Sequence, residues 1–155
     1  MYDKCVALLK ERGVVIEDIA ECVIYLQKEY VPDLQKDVVI EMIENVLKKR
    51  EVQHAIMTGI ALDKAAEEGV LQDKELQKIL MDDASLYGVD EVLAYGICNL
   101  YGSIALTNYG FIDRVKPGVI GNLNNHDGKT CNTFLDDIVG AIAASAASRI
   151  AHSSK

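Results

Sequence analysis

The stretch Asn124–His152, NNHDGKTCNTFLDDIVGAIAASAASRIAH, decides the fold. It opens with amides, acids and a histidine, then runs from Ile138 to Ala151 with Arg149 as its only charge. At about 100° per residue, Leu135, Ile138, Val139, Ile142, Ala146 and Ile150 gather on one side of a helix, and Gly140, Ala143, Ala144, Ala147 and Ala151 on the other. Such a helix has a bulky face and a small-residue face but no polar face to give to water. It must be central, with other helices around it, and the segment from Ile138 to Ile150 is expected among the most buried of the chain. Asn132 or Thr133 is the expected N-cap.

The remainder of the chain supplies those surrounding helices. There are only two prolines, Pro32 and Pro117, and apolar residues recur at spacings of three and four, as in Val38, Ile40, Met42, Ile43, Val46 and Leu47. A first helix runs from Asp3 to Gly13, and a second from Glu17 to Tyr30, stopped before Pro32. Residues 37–68 form a helical pair or one kinked helix that ends at Gly69, and a short amphipathic helix spans Asp73 to Met81. The expected fold class is all-α: a single-domain helical bundle, residues 1–155, with a buried central C-terminal helix and no sheet of consequence.

Composition narrows the function. With 155 residues, half of them hydrophobic, the chain can bury most of the surface that it exposes unfolded. Sixteen basic residues stand against 24 acidic ones, a net charge of -8, and the only basic run is LKKR at Arg50. Nucleic acid is excluded as a partner on that balance, and an anionic membrane repels the chain, so membrane contact is peripheral at most. The four cysteines, Cys5, Cys22, Cys98 and Cys131, form no CxxC pair. No segment reads as a signal peptide or a membrane span, and the expected location is cytoplasmic.

From Leu86 onward Tyr-Gly occurs four times, at Tyr87-Gly88, Tyr95-Gly96, Tyr101-Gly102 and Tyr109-Gly110. Either the glycines let neighbouring helices approach closely, so that Gly96, Gly102 and Gly110 lie at close helix contacts, or the repeat brings tyrosine hydroxyls to a buried ligand. A helical oligomer without catalytic activity, using these surfaces to bind a partner or a second copy, is the alternative to an enzyme.

Asp136 and Asp137 stand at the mouth of the central helix. One carboxylate there is explained by the helix dipole and a capping-box-like pairing with Thr133. Two adjacent buried acids, after a loop holding His126 and Asp127, repel one another unless protonated or bound to a cation. Magnesium, or a similar hard ion such as manganese, is the natural resolution. Zinc fits less well, because only one histidine lies near the acids.

The segment LTNYGFIDRVKPGVIGNL, followed by HDGKTCNTFLDDIVGAIAA, resembles the phosphatidylglycerophosphatase A family. That family carries a glycine-rich GxGxxPxAPGTxGS/T-L segment and a later DPxxxVxDExxG segment. Thr107, Tyr109-Gly110 and Lys116-Pro117-Gly118 stand where the first would, and Asp127-Gly128-Lys129 with Asp136-Asp137-Ile138-Val139-Gly140 where the second would. The resemblance covers Leu106 to about Ala151. Here Asp136-Asp137 replaces Asp-Glu, Asp127-Gly128 replaces Asp-Pro, and the membrane-embedded stretch between the segments is nearly absent, as in a soluble branch of the family. The resemblance implies an all-α fold and magnesium-dependent hydrolysis of a phosphate monoester, phosphatidylglycerophosphate or a related lipid or soluble ester.

The residue types suit that chemistry. A phosphomonoester dianion requires a cation, a positioned water and an acid for the leaving alkoxide. Asp136 and Asp137 are the expected metal ligands, with Asp127 as a third ligand or as the base that orients water. His126 is the candidate general acid, since imidazole exchanges protons near neutral pH. Lys116, Lys129 and Thr130 are the candidate phosphate contacts. Asp63, Asp90 and Glu91 are further acids that could complete a metal shell, although Asp90 also suits a helix N-cap.

Overall fold

The structure is a computed structural model that describes residues 1–125 and 127–153. Among these residues the chain forms nine helices and no strand: α1 Tyr2–Glu11, α2 Ile16–Gln27, α3 Lys36–Leu47, α4 Arg50–Glu67, α5 Lys74–Met81, α6 Val89–Cys98, α7 Ser103–Val115, α8 Val119–Leu123 and α9 Leu135–Ser153. The segment 37–68 is thus two helices, α3 and α4. None of the described helices is long and apolar enough to cross a membrane.

α9 is the axis of the bundle. Every residue from Leu135 to Ser148 is buried, as is Ile150. α7 and α6 lie against it most extensively, α2 and α3 also cover it, and α4 and α8 complete the sleeve. Fully burying a side chain such as Ile138, Val139 or Ile142 contributes about 1.5–3 kcal/mol, so the central position of α9 supplies much of the core. The small residues do what their size permits. A Cβ at Gly140 would touch Tyr109 and Ile112 of α7 at 3.6 Å. On the other side Gly59 of α4 receives α9, since a Cβ there would collide with Ile138 Cδ1 and approach Phe134 Cβ to 3.2 Å.

A wholly buried helix start cannot leave its first N–H groups to water. Neither Asn132 nor Thr133 caps α9 with its side chain. Thr133 Oγ1 instead donates to the Leu80 carbonyl at 2.6 Å, and Asn132 Oδ1 accepts from Arg12 at 2.9 Å. The cap comes from α4. Asp63, with no solvent exposure, accepts the N–H groups of Phe134 (3.0 Å) and Leu135 (2.9 Å) on its two carboxylate oxygens. One turn further along α4, Glu67 accepts the Cys131 N–H at 2.8 Å and accepts from the two terminal guanidinium nitrogens of Arg12, which also donates to the Cys131 carbonyl at 2.7 Å. The ends of α1 and α4 are thereby fastened to the chain entering α9.

The Tyr-Gly glycines are not at close contacts, which corrects the packing expectation. A Cβ on Gly96, Gly102 or Gly110 would meet nothing within 4 Å. Gly96 and Gly110 lie on the exposed sides of α6 and α7. Gly102 precedes α7 with φ 92° and ψ -167°, a conformation that excludes a side chain without strain. The repeat marks helix surfaces and starts, and helix contact is made instead by Gly59 and Gly140.

Two predictions follow from this packing. Replacing Asp63 with alanine leaves two buried N–H groups without acceptors and should lower unfolding free energy by at least about 2 kcal/mol, read by urea denaturation; a loss within experimental error would remove the cross-helix cap. Gly102→Leu should destabilise by about 1–3 kcal/mol through backbone strain, whereas Gly110→Ala, in open space within a helix, should stabilise by about 0.5–1 kcal/mol. Equal effects at the two glycines in thermal melts would contradict this assignment.

Candidate active site

Three helix ends bring the acids together. The buried first turn of α9 presents Asp136 and Asp137, the last turn of α7 presents Asp113, and the first turn of α6 presents Asp90 and Glu91. α7 ends at Lys116, whose backbone sits in the left-handed region at φ 51° and ψ 59°, unusual for a residue with a side chain. This turn carries Lys116 Nζ back to Asp113 Oδ1 at 3.0 Å and toward Asp136 Oδ2 at 3.4 Å. The chain then passes through Pro117 and Gly118 into α8.

One carboxylate oxygen from each of Asp113, Asp136 and Asp137 lies within 4.8 Å of the others. Burial pushes the carboxyls of Asp136 and Asp137 well above the usual carboxylate range. Lys116 opposes the rise at Asp136, while Asp83 and Asp113 add to it. At Asp137 the Asp136 charge and bonding to Asp90 and Asp113 raise it further. Glu91, nearer the surface, is also raised, first by burial and then by Asp113 and Asp90. Two routes relieve such crowding: the acids share protons, or a divalent cation binds between them. Oxygen-only donors of this kind suit a hard cation such as magnesium.

The sequence-predicted residues separate into two groups. Asp136, Asp137 and Lys116 come together, and Asp90 and Glu91 join them; the N-cap of α6 is Gly88, so Asp90 is free of that duty. Asp127, Lys129 and Thr130 occupy an exposed loop. There Asp127 Oδ1 accepts the N–H groups of Lys129 (2.8 Å) and Thr130 (2.7 Å) and the Thr130 hydroxyl (2.9 Å), and these bonds hold its carboxyl down at about 2. Asp127 is not in the carboxylate cluster; its place beside Asp136 and Asp137 is taken by Asp113. His126 lies outside the described residues. Asp63 is engaged in the helix cap, where burial raises its pKa to about 7 against the pull of the two N–H groups.

Asp113 and Asp83 escaped the sequence reading. The signal for Asp113 was an acid in the last turn of α7, three residues before the lysine that pairs with it. The fold also has a cavity of about 440 Å³ between α2 and α7, lined by Tyr25, Lys28, Asn108 and Phe111 among others. Its charged residues, Lys28 and Glu29, are exposed. The carboxylate cluster is the better candidate site because its charges are buried and unbalanced, which only a ligand or bound protons relieve.

Comparison with known proteins extends the sequence resemblance from its final third to nearly the whole chain. The uncharacterized protein YutG of Bacillus subtilis is 57% identical over 152 residues, covering 98% of this chain and 91% of that protein. The crystal structure of the low temperature requirement C protein from Listeria monocytogenes superposes with a TM-score of 0.96 at 57% identity, covering 99% of this chain and 96% of the other. A protein of unknown function from Bacillus stearothermophilus superposes equally well, with a TM-score of 0.96 at 55% identity over 100% of this chain and 96% of that one. The model of the family described as phosphatidylglycerophosphatase A matches residues 6–152. With relatives this similar and the match running from α1 into the last turns of α9, the chain belongs to the phosphatidylglycerophosphatase A family.

Proposed function

We propose that the protein is a magnesium- or manganese-dependent phosphatase acting on a phosphate monoester, with phosphatidylglycerophosphate or a related lipid as the favoured substrate. The observation that carries this reading is the convergence of Asp113, Asp136 and Asp137 within 4.8 Å in a chain of this family. Lys116 pairs with Asp113 and Asp136, while the charges of Asp83 and Asp113 act on Asp136, those of Asp136 and Asp113 on Asp137, and those of Asp113, Asp90 and Asp83 on Glu91. A dianionic phosphate is repelled by that field unless a cation neutralises it.

Asp113, Asp136 and Asp137 are assigned as the ligands, with Asp113 in the place first given to Asp127. The bound cation supplies charge neutralisation for the phosphoryl oxygens. Lys116, salt-bridged to Asp113 and facing Asp136, keeps the carboxylates from springing apart and offers its ammonium to the phosphate as a point charge. Glu91 is assigned as the acid for the leaving alkoxide; its carboxyl is raised from the ordinary range by desolvation and by Asp113 and Asp90. Asp127 organises the loop that carries Lys129 and Thr130, whose part is to contact the far side of the phosphate group.

The test compares isosteric variants. Asp113→Asn, Asp136→Asn and Asp137→Asn should each fold, lose the rise in melting temperature produced by magnesium chloride, and lose activity by roughly 100-fold or more. Asp127→Asn should retain magnesium binding. Activity is measured on phosphatidylglycerophosphate in detergent micelles and on soluble glycerol phosphate, which separates a lipid substrate from a soluble one. A wild-type protein that hydrolyses neither ester with magnesium or manganese would refute the reading.

A further inference from the structure

We infer that the outward face of α6 and α7 is where two copies of this chain pair as a two-fold homodimer, whatever reaction the carboxylate cluster serves. From Val92 to Ile112, through the end of α6, the turn and most of α7, no residue is charged, in a chain that is 26% charged. α9 has a similar run, but there burial accounts for it. α6 and α7 bury only the sides that lie against α9. Their other sides are open: Val92, Tyr95 and Leu106 are exposed, beside the exposed polar groups of Asn99, Ser103 and Thr107. An exposed helix face ordinarily carries charge. Here it carries none, and Val92 is 65% exposed. Tyr95 lies edge-on to Tyr109 across the groove between the helices, with ring centroids 5.4 Å apart, so the two faces are continuous. Gly96 adds a notch. A Cβ there would meet nothing within 4 Å, and a cavity of about 310 Å³ opens beside it between α4 and α6.

Contiguous exposed apolar surface marks a contact with a partner, and charge selects which partner. At a net charge of -8, two copies repel one another over most of their surfaces, and a face without charges is where approach costs least. A two-fold contact sets this face against itself, so uncharged surface meets uncharged surface with no further matching. A different protein is ordinarily recognised through complementary charges, which this face lacks. An anionic bilayer is repelled by the same acidic balance, and no lysine or arginine between Val92 and Ile112 is there to engage its phosphates. Depletion of charge together with an exposed aromatic ring is the composition of a protein interface. Glu91 and Asp113 bound the uncharged run, so the carboxylate cluster lies at one end of the paired face.

The experiment is sedimentation equilibrium of the full-length chain from about 1 to 100 μM, the range in which a modest interface assembles. Wild type should form a dimer of the 17.0 kDa chain in the upper part of that range. Val92→Glu combined with Leu106→Glu places charge at exposed positions on both helices. It should raise the dissociation constant by about 100-fold or more while the helical circular dichroism stays native. Val70→Glu, at a valine of equal 65% exposure that lines a cavity between α1 and α4, is the control and should leave the dimer intact. A wild type that stays monomeric throughout overturns the inference. A dimer that survives the double substitution, or that Val70→Glu dissociates equally, lies on another face and overturns it too. If the double variant loses its helical signal, Val92→Glu alone takes its place and is read in the same way. A monomeric wild type that co-sediments with phosphatidylglycerol–phosphatidylcholine vesicles, and loses that binding in the double variant, assigns the face to lipid and refutes pairing.

Discussion

The bond on which this architecture depends is the one that Asp63 of α4 makes to the first N–H groups of α9. A helix buried along its length cannot call on water to satisfy its orphaned donors, so the acceptor must come from another part of the fold. A carboxylate serves best, because its two oxygens take two N–H groups and its charge suits the positive end of the helix. Asp63 is itself fully buried; desolvation raises its pKa, and the N–H groups of Phe134 and Leu135, then Arg12 at the end of α1, oppose the rise. The same few residues, Arg12, Asp63, Glu67 and Cys131, thus tie α1, α4 and the entry to α9 into one unit.

That tie fixes where α9 begins, and so where Asp136 and Asp137 stand. With Phe134 and Leu135 pinned, the next two residues fall in the first turn, where they meet Asp113 from the end of α7 and Asp90 from the start of α6. A sequence optimised for stability alone would not gather these acids in a buried place. Lys116 offsets part of the repulsion and adopts a left-handed backbone to do so. Local cost of this kind concentrates at functional sites. The rest of the molecule offsets it with an apolar core in which α9 is surrounded by five other helices and α8.

The sequence by itself determined the class of fold and the identity of the central helix. An uninterrupted segment of bulky and small apolar residues with one charge cannot face water anywhere, and that reading needs no knowledge of its neighbours. Asp136 and Asp137 were legible for the same reason, as charges at the edge of a segment that has no other use for them. Helix ends were only partly legible: Gly69 closes α4 by a local conformation, but the cap of α9 is a contact between residues 71 and 72 positions apart. Only the tertiary structure could decide that Asp113 and not Asp127 stands with the aspartate pair, that Gly59 and Gly140 rather than the Tyr-Gly glycines make the close contacts, and that Tyr109 alone of its repeat is sealed in the core. Periodicity records which face of a helix is buried, whereas the rotation and register that select one neighbour are set by packing among several helices at once, and no local pattern encodes them.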